Sequence, residues 1–326
     1  MKSEQAISVV MCTYNGERYL REQLDSIFSQ TLPPAEVVVQ DDGSTDSTPA
    51  ILEEYARRYP NLRVFHNEGP HGINPNFFSA MRRARYELIA LSEQDYIWEP
   101  DKLRLQARAM GRNLLCSGYS IPFSTTGYPV SYDRREPNRD MLRLCYIGAL
   151  AGHTFLLRRE LLDYLPEGAD CPYLYDWQLQ MAAASAERLV FVPRPLVHFR
   201  RHADAATAIR PVGTHWASRS SLDYVVTTLF HHATLQRHVR QRFRYIGRMT
   251  ASWPFTTQAL ADCRQMTQLQ TRTGWLNFIR KTCFFVKHRT RLFYSYEPDG
   301  WRCLLRALYF SYSCGYYYRA ILKQKK

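Results

Sequence analysis

The sequence predicts an α/β protein with a mostly parallel sheet flanked by helices, followed by a basic helical C-terminal region. Three observations carry that expectation. Short apolar or β-branched runs alternate with helical stretches through the first 110 residues or so. Several of these runs end in polar or acidic loops, at the edge where open α/β sheets bind ligands. Charge is also divided unevenly: residues 1–200 hold 22 Lys and Arg against 25 Asp and Glu, whereas residues 201–326 hold 21 against 5. The chain therefore reads as an α/β unit over residues 1–210 and a basic region over 211–326 that meets something anionic.

The elements follow in order. Ile7–Met11 is a strand that runs into Cys12-Thr13-Tyr14-Asn15-Gly16. Leu20, Gln23, Leu24 and Ile27 form a helical stripe, ended by Thr31-Leu32-Pro33-Pro34. Val37–Val39 is a second strand, and a helix begins at Thr48 and carries Ile51, Leu52 and Tyr55. Leu62, Val64 and Phe65 mark a third strand, and Phe77, Phe78 and Met81 a helix after the loop 66–72. Leu88–Leu91 is short and apolar, as in a sheet covered on both faces, and a helix starts near Asp101. Residues 116–147 are rich in turn formers. Thr154–Leu157 reads as a strand, Asp176 to Leu179 as a helix start, and Leu189–Val192 and Leu196–Phe199 as two strands split by Pro193-Arg194-Pro195. Leu222, Val225, Val226, Leu229, Leu235, Val239, Phe243 and Ile246 recur at roughly helical spacing beyond 210.

A chain of 326 residues with 45% hydrophobic content can bury one large core, or one core and an appendage. Its eight cysteines form no CxxC pair, which reads as reduced, mostly buried thiols rather than a disulfide frame or zinc site. No segment approaches the ~18 consecutive apolar residues of a membrane span, and the N-terminus lacks an apolar signal core. The expectation is a cytoplasmic protein, soluble or peripheral.

The chemistry gathers at strand ends. Val37–Val39 leads into Gln40-Asp41-Asp42-Gly43-Ser44-Thr45-Asp46, a strand that delivers carboxylates just before a helix. Leu88–Leu91 leads into Ser92-Glu93-Gln94-Asp95. Two acids spaced i, i+2 beyond an apolar strand can hold a hard divalent cation, because Mg²⁺ and Mn²⁺ prefer oxygen ligands and bridge carboxylates to substrate phosphates. One such pair alone is equally a solvated loop; pairs at successive strand ends favour a nucleotide site.

Val9–Gly16, Asp41–Asp46 and Ser92–Trp98 resemble the signature blocks of family 2 glycosyltransferases with the GT-A fold. Asn76-Phe77, Tyr175-Asp176-Trp177 and Phe199-Arg200-Arg201-His202 resemble further blocks, in the family's order. The resemblance covers about residues 5–205 and comes nearest to bacterial members that build rhamnose-containing or related surface polysaccharides. It implies that Thr13, Tyr14, Asn15, Asp41 and Asp42 contact the base and ribose of a UDP- or dTDP-sugar. Asn76 would shape the donor pocket, and Glu93 and Asp95 would stand at the DXD positions. Asp95 would then ligate Mg²⁺ or Mn²⁺ on the diphosphate, with His202 completing the metal shell and Asp176 acting as general base. Two positions depart from the pattern: Glu93 stands where Asp is usual, and Tyr96 replaces an acid. Both changes bear on metal affinity and choice.

The residue types suit that chemistry. A cation neutralises charge on the leaving diphosphate, and a carboxylate within reach accepts the acceptor's hydroxyl proton. One base and one face of attack imply inversion at the anomeric carbon. Each residue also has a plainer reading. Asp176 is a good helix cap, His202 could be a surface histidine, and Tyr14 could pack in the core rather than stack on a base.

Residues 275–326 interleave apolar and basic groups, with Trp301, Leu304, Leu305, Leu308 and Tyr312 at helical spacing and Lys323-Gln324-Lys325-Lys326 at the end. Lys- and Arg-rich amphipathic helices with Trp and Tyr suit a membrane interface. The expected partners are thus a nucleotide-sugar donor, a glycan or lipid-linked acceptor and an anionic membrane at its inner face, with no nucleic acid. The alternatives are a nucleotidyltransferase, whose Gly-rich basic loop is missing here, a nucleic-acid-binding protein, and a catalytically silent glycan-binding relative.

Overall fold

The computed structural model describes residues 6–127, 130, 132, 134–165, 172–201, 226, 228–293 and 300–314. The chain divides into two units. The first comprises residues 1–136, 150–183 and 188–211, and the second residues 137–149, 184–187 and 212–326. Two short segments inside the first 210 residues therefore belong to the second unit.

The first unit is built on an eight-stranded mixed sheet, in the order β3-β2-β1-β4-β7-β6-β8-β5. Its left half is the alternation expected from sequence. β1 (Ile7–Thr13), α1 (Leu20–Phe28), β2 (Glu36–Asp41), α2 (Thr48–Arg58), β3 (Leu62–His66), α3 (Ile73–Arg83) and β4 (Leu88–Ser92) follow one another, and the four strands pair in parallel. β2 and β4 are buried along their whole length, which explains the apolar runs Val37–Val39 and Leu88–Leu91 within them. Val9, Met11, Leu24, Ile27, Val37, Val39, Leu52 and Ala90 meet in one core.

The right half differs from the expectation. The stretch after β4 holds a short strand, β5 (Ile97–Trp98), followed by α4 (Lys102–Met110). β6 (Leu115–Phe123) occupies the start of the turn-rich segment, and β7 (Leu156–Arg158) begins two residues later than predicted, after a 3-10 turn at Gly152–Thr154. The two strands predicted around Pro193-Arg194-Pro195 are one strand, β8 (Leu189–Arg200). Its register against β6 shifts there, from Val192 opposite Gly118 to Pro195 opposite Tyr119 and Val197 opposite Ser120. Proline offers no N–H to a ladder, and an exposed irregularity accommodates two of them without ending the strand.

A lysine lies inside this unit. Lys102 is fully buried, with its ammonium 3.9 Å from the Trp98 ring centroid and 2.9 Å from Gln106 Oε1. Burial pushes its pKa down to about 7.

The second unit is helical: α5 (Met141–Leu144), α7 (His232–Ala251), α8 (Gln258–Thr271), α9 (Trp275–Lys287), α10 (Arg289–Leu292) and α11 (Trp301–Ser313). α6 (Tyr175–Ser185) belongs mostly to the first. Leu235, Val239, Phe243 and Ile246 are fully buried on α7, as their spacing predicted. Leu222 and Val225 lie outside the described residues. Phe310 sits edge-on to Tyr146, Phe285 and Phe293 at 5.1–5.3 Å. Arg291 joins Asp140 at 2.7 Å and Asp262 at 2.5 Å. The seven described cysteines are free thiols. No helix among the described residues is long and apolar enough to cross a membrane.

Candidate active site

β1, β2 and β4 lie side by side, with Thr13 opposite Asp41 and Met11 opposite Ser92. Their carboxyl ends therefore deliver three loops to one edge. Asp41 is the hub of the first two. Its Oδ1 accepts from Thr13 Oγ1 at 2.8 Å and Ser44 Oγ at 2.6 Å, and its Oδ2 accepts from the Ser44 and Gly43 amides at 2.8 and 3.2 Å. It is 1% exposed. The predicted nucleoside contact is thus a buried brace that shapes the loop from within.

Asp42 points elsewhere. It accepts from Asn67 Nδ2 at 2.6 Å and the Gly72 amide at 2.8 Å, and His71 Nδ1 lies 3.1 Å away. Asn15 adopts a left-handed backbone, φ 47°, and its side-chain oxygen accepts from the Thr45 amide at 2.8 Å. That clamp leaves the ring of Tyr14 57% exposed at the edge. Gln94 fixes the backbone of Tyr14 from both sides, accepting from its amide at 2.8 Å and donating to its carbonyl at 2.9 Å. The approach requires Gly16, because a Cβ there would lie 2.4 Å from Gln94 Oε1. Asn76 is 3% exposed and donates to the Gln40 carbonyl at 3.2 Å, so it supports the β2 end from below. Its neighbour Asn74 does what sequence reading missed: it accepts from the Tyr175 amide and donates to the Tyr173 carbonyl, both at 2.8 Å, tying α3 to the start of α6.

A second group forms around Glu93. His153, on the 3-10 turn before β7, places Nδ1 3.8 Å from Glu93 Oε1 and Nε2 2.7 Å from Ser120 Oγ. Tyr96 meets the His153 ring edge-on at 4.6 Å. Burial raises the Glu93 pKa, but the contacts with His153 and Tyr96 outweigh it and hold the carboxyl below its ordinary value. The unusual residues at 93 and 96 are thus partners, and His153 is the third member that no motif announced. Tyr96 itself is pushed well up, by burial first and then by Glu93 and Asp95.

Asp176 lies in the first turn of α6, its Oδ1 accepting from the Trp177 amide at 2.6 Å. Burial, its largest influence, raises its pKa to about 6; Glu93 adds to the rise, while the Trp177 amide and His153 oppose it. Gly152 allows this packing, since a Cβ there would fall 2.6 Å from Tyr175 Oη and 3.0 Å from Asp176 Cβ. Glu93 and Asp176 both act on the buried Tyr175 phenol, whose pKa is raised first by burial and then by these two. The structure thus brings the β4 loop, the 3-10 turn and the head of α6 into one electrostatic neighbourhood.

Asp95 is half-buried, and its carbonyl accepts from Arg200 Nε at 3.3 Å. Arg200 in turn stacks over Tyr19 at 4.4 Å and Phe123 at 4.6 Å. Among the described residues, no three His, Cys, Asp or Glu side chains converge to cage a metal. A cation that bridges a diphosphate needs only one or two carboxylates, with phosphate and water filling the rest. Asp95, a hard oxygen donor at the end of β4, fits that kind of site. His202 lies outside the described residues.

The profile of Glycosyl transferase family 2 matches residues 8–165. An uncharacterized protein of Mycobacterium tuberculosis is 28% identical over 289 residues, spanning 82% of this chain and 84% of that protein. The dTDP-rhamnosyl transferase RfbG of Shigella flexneri is 27% identical over 207 residues, 59% of this chain and 71% of that one. Among solved structures, S. aureus TarS 1–349 in complex with UDP-GlcNAc superposes with a TM-score of 0.56 at 18% identity, covering 88% of this chain and 81% of that one. At that identity the likeness is one of fold.

Proposed function

We propose that this chain, whose residues 8–165 match the profile of glycosyl transferase family 2 and whose fold is GT-A, is an inverting hexosyl- or deoxyhexosyl-transferase of that family. It moves the sugar from a UDP- or dTDP-sugar to a saccharide or lipid-linked acceptor in bacterial cell-surface polysaccharide synthesis. The choice of UDP or dTDP draws on what RfbG and TarS are named with.

The observation that carries this reading is Asp176. Its pKa of about 6 stands near neutral pH, where a general base combines an ionised form with real proton affinity. Asp176 takes the proton of the acceptor hydroxyl as that oxygen attacks the anomeric carbon, and the nucleoside diphosphate leaves from the opposite face. A single displacement inverts the centre. Tyr14 stacks on the base, and Thr13, Asn15, Asp42 and Asn76 shape the nucleoside pocket. Asp41 acts through the loop it braces, and Glu93 orients the donor with His153 behind it. Asp95, joined by His202, is the residue to hold Mg²⁺ or Mn²⁺. The cation supplies charge neutralisation at the leaving diphosphate. Residues 1–210 act as the catalytic part and residues 211–326 as the part that meets the inner face of the membrane.

A thermal-shift screen against UDP-, dTDP- and GDP-sugars, with Mg²⁺ or Mn²⁺, tests the donor site without knowledge of the acceptor. A metal-dependent stabilisation by one nucleotide class, lost in Tyr14→Ala, is expected. No response to any nucleotide or nucleotide sugar would remove the basis of the proposal.

A further inference from the structure

α9 and α11 pack together within the second unit, Phe285 edge-on to Phe310 at 5.1 Å and Thr282 Oγ1 2.8 Å from Ser311 Oγ. Phe284 and Phe285 on one helix, and Cys303, Ala307 and Phe310 on the other, are buried. A helix with one buried face ordinarily turns polar residues outward. These two turn out more apolar ones. Trp275, Leu276 and Ile279 are 72%, 54% and 49% exposed, and Trp301, Leu305 and Leu308 are 68%, 54% and 45% exposed.

The polar residues among them are cationic. Arg280, Lys287, Arg302 and Arg306 are exposed, and the Arg302 guanidinium lies 5.3 Å from the Trp301 ring centroid. Neither helix carries an acid, and beyond Asp262 the sequence holds only Glu297 and Asp299 as acidic residues. Residues 315–326 add Arg319, Lys323, Lys325 and Lys326.

We infer that the exposed face of α9 and α11 is a docking surface for an anionic lipid bilayer. Trp275, Leu276, Ile279, Trp301, Leu305 and Leu308 enter the boundary between headgroups and acyl chains, and the four cations sit on lipid phosphates. The inference rests on the reading of residues 211–326 as the membrane-facing part and narrows it to two helices. Charge selects this occupant. A second copy of the chain would oppose one acid-free basic face to another. Nucleic acid would satisfy the cations but leave the leucines and the isoleucine in water. An anionic bilayer answers both the charge and the apolar area.

The test is co-sedimentation of the full chain with vesicles of phosphatidylcholine alone, or with about one third phosphatidylglycerol. Binding to the anionic vesicles, with a blue shift of tryptophan emission, is expected; the double variant Trp301→Ser/Leu305→Ser should weaken it about tenfold. Arg302→Glu/Arg306→Glu should weaken it most at low salt. The nucleotide-sugar thermal shift of each variant serves as the control for folding. Failure of the unaltered chain to bind anionic vesicles, or equal binding by the Trp301→Ser/Leu305→Ser variant, would overturn the inference. So would a dimer that this variant abolishes, or duplex DNA that displaces the vesicles. Vesicle binding lost with the nucleotide shift intact counts against the surface alone. Vesicle binding without any nucleotide shift counts against the transferase reading alone.

Discussion

The loop edge of the sheet and the outer face of the C-terminal helices put their side chains to opposite uses. At the sheet edge, polar groups are drawn inward and consumed: Asp41 is 1% exposed with four hydrogen bonds. On α9 and α11 it is apolar groups that are left outside, with Trp275 and Trp301 exposed among arginines. Each departs from the usual rule that polar residues face water and apolar ones avoid it. A buried polar network fixes geometry, as a reacting centre needs. An exposed apolar face is of use only against something that covers it. Substitutions in the two regions should therefore fail in different ways.

The largest effect is expected at Asp176. Asp176→Asn should lower turnover about a thousandfold while leaving donor binding in place. It should also make the protein more stable. The folded pKa of about 6 lies above the ordinary value of 3.8, so the unfolded chain gives up this proton first as pH rises. Stability is lost between roughly pH 4 and pH 6, and the penalty is complete above that. Removing the charge should gain at most about 3 kcal/mol at pH 8 and almost nothing at pH 3, read by urea unfolding at both values. The rate should correspondingly climb along an acid limb near pH 6. A variant less stable than the parent at pH 8 would mean that Asp176 is a cap rather than a strained base.

Asp41→Ala comes next and acts on the fold. It strands two hydroxyls and two amides, and a loss of about 3 kcal/mol is expected. Asp42→Asn, with its partners at the loop surface, should cost under about 1 kcal/mol yet weaken nucleotide binding. Equal losses in the two would erase the distinction between brace and ligand contact. His153→Ala should reduce kcat/KM for the donor about tenfold, with part recovered in His153→Gln through the bond to Ser120. The smallest effect belongs to the helical face, where Leu305→Ser should change stability by no more than about 0.5 kcal/mol. A larger loss would show that the face is already packed against protein.

The left half of the sheet was legible because each strand, loop and helix is written in consecutive residues. The acids at the ends of β2 and β4 stood out because an apolar strand makes its terminal carboxylates conspicuous. What stayed hidden depended on distant partners. His153 reaches Glu93 from a 3-10 turn with no periodicity of its own. β6 was obscured by Gly118 and Pro122, and β8 by two prolines that only its irregular register against β6 tolerates. Nothing in the sequence marks Lys102 as buried, and only the Trp98 ring and Gln106 show how a core receives it. The bracing contacts of Asp41 were hidden for the same reason. Sequence shows a carboxylate, whereas hydrogen bonds from residues as far apart as Thr13 and Ser44 show that it is spent.

The central claim is that a nucleotide sugar binds at the β1–β2–β4 edge and that Asp176 deprotonates the acceptor. Its most direct test is to supply the donor found by thermal shift together with a membrane extract containing acceptors, follow release of the nucleoside diphosphate and determine the anomeric configuration of the product by NMR. An inverted product is expected, with release abolished in Asp176→Asn although that variant still binds the donor. Retention of configuration, or unchanged release by Asp176→Asn, would contradict it.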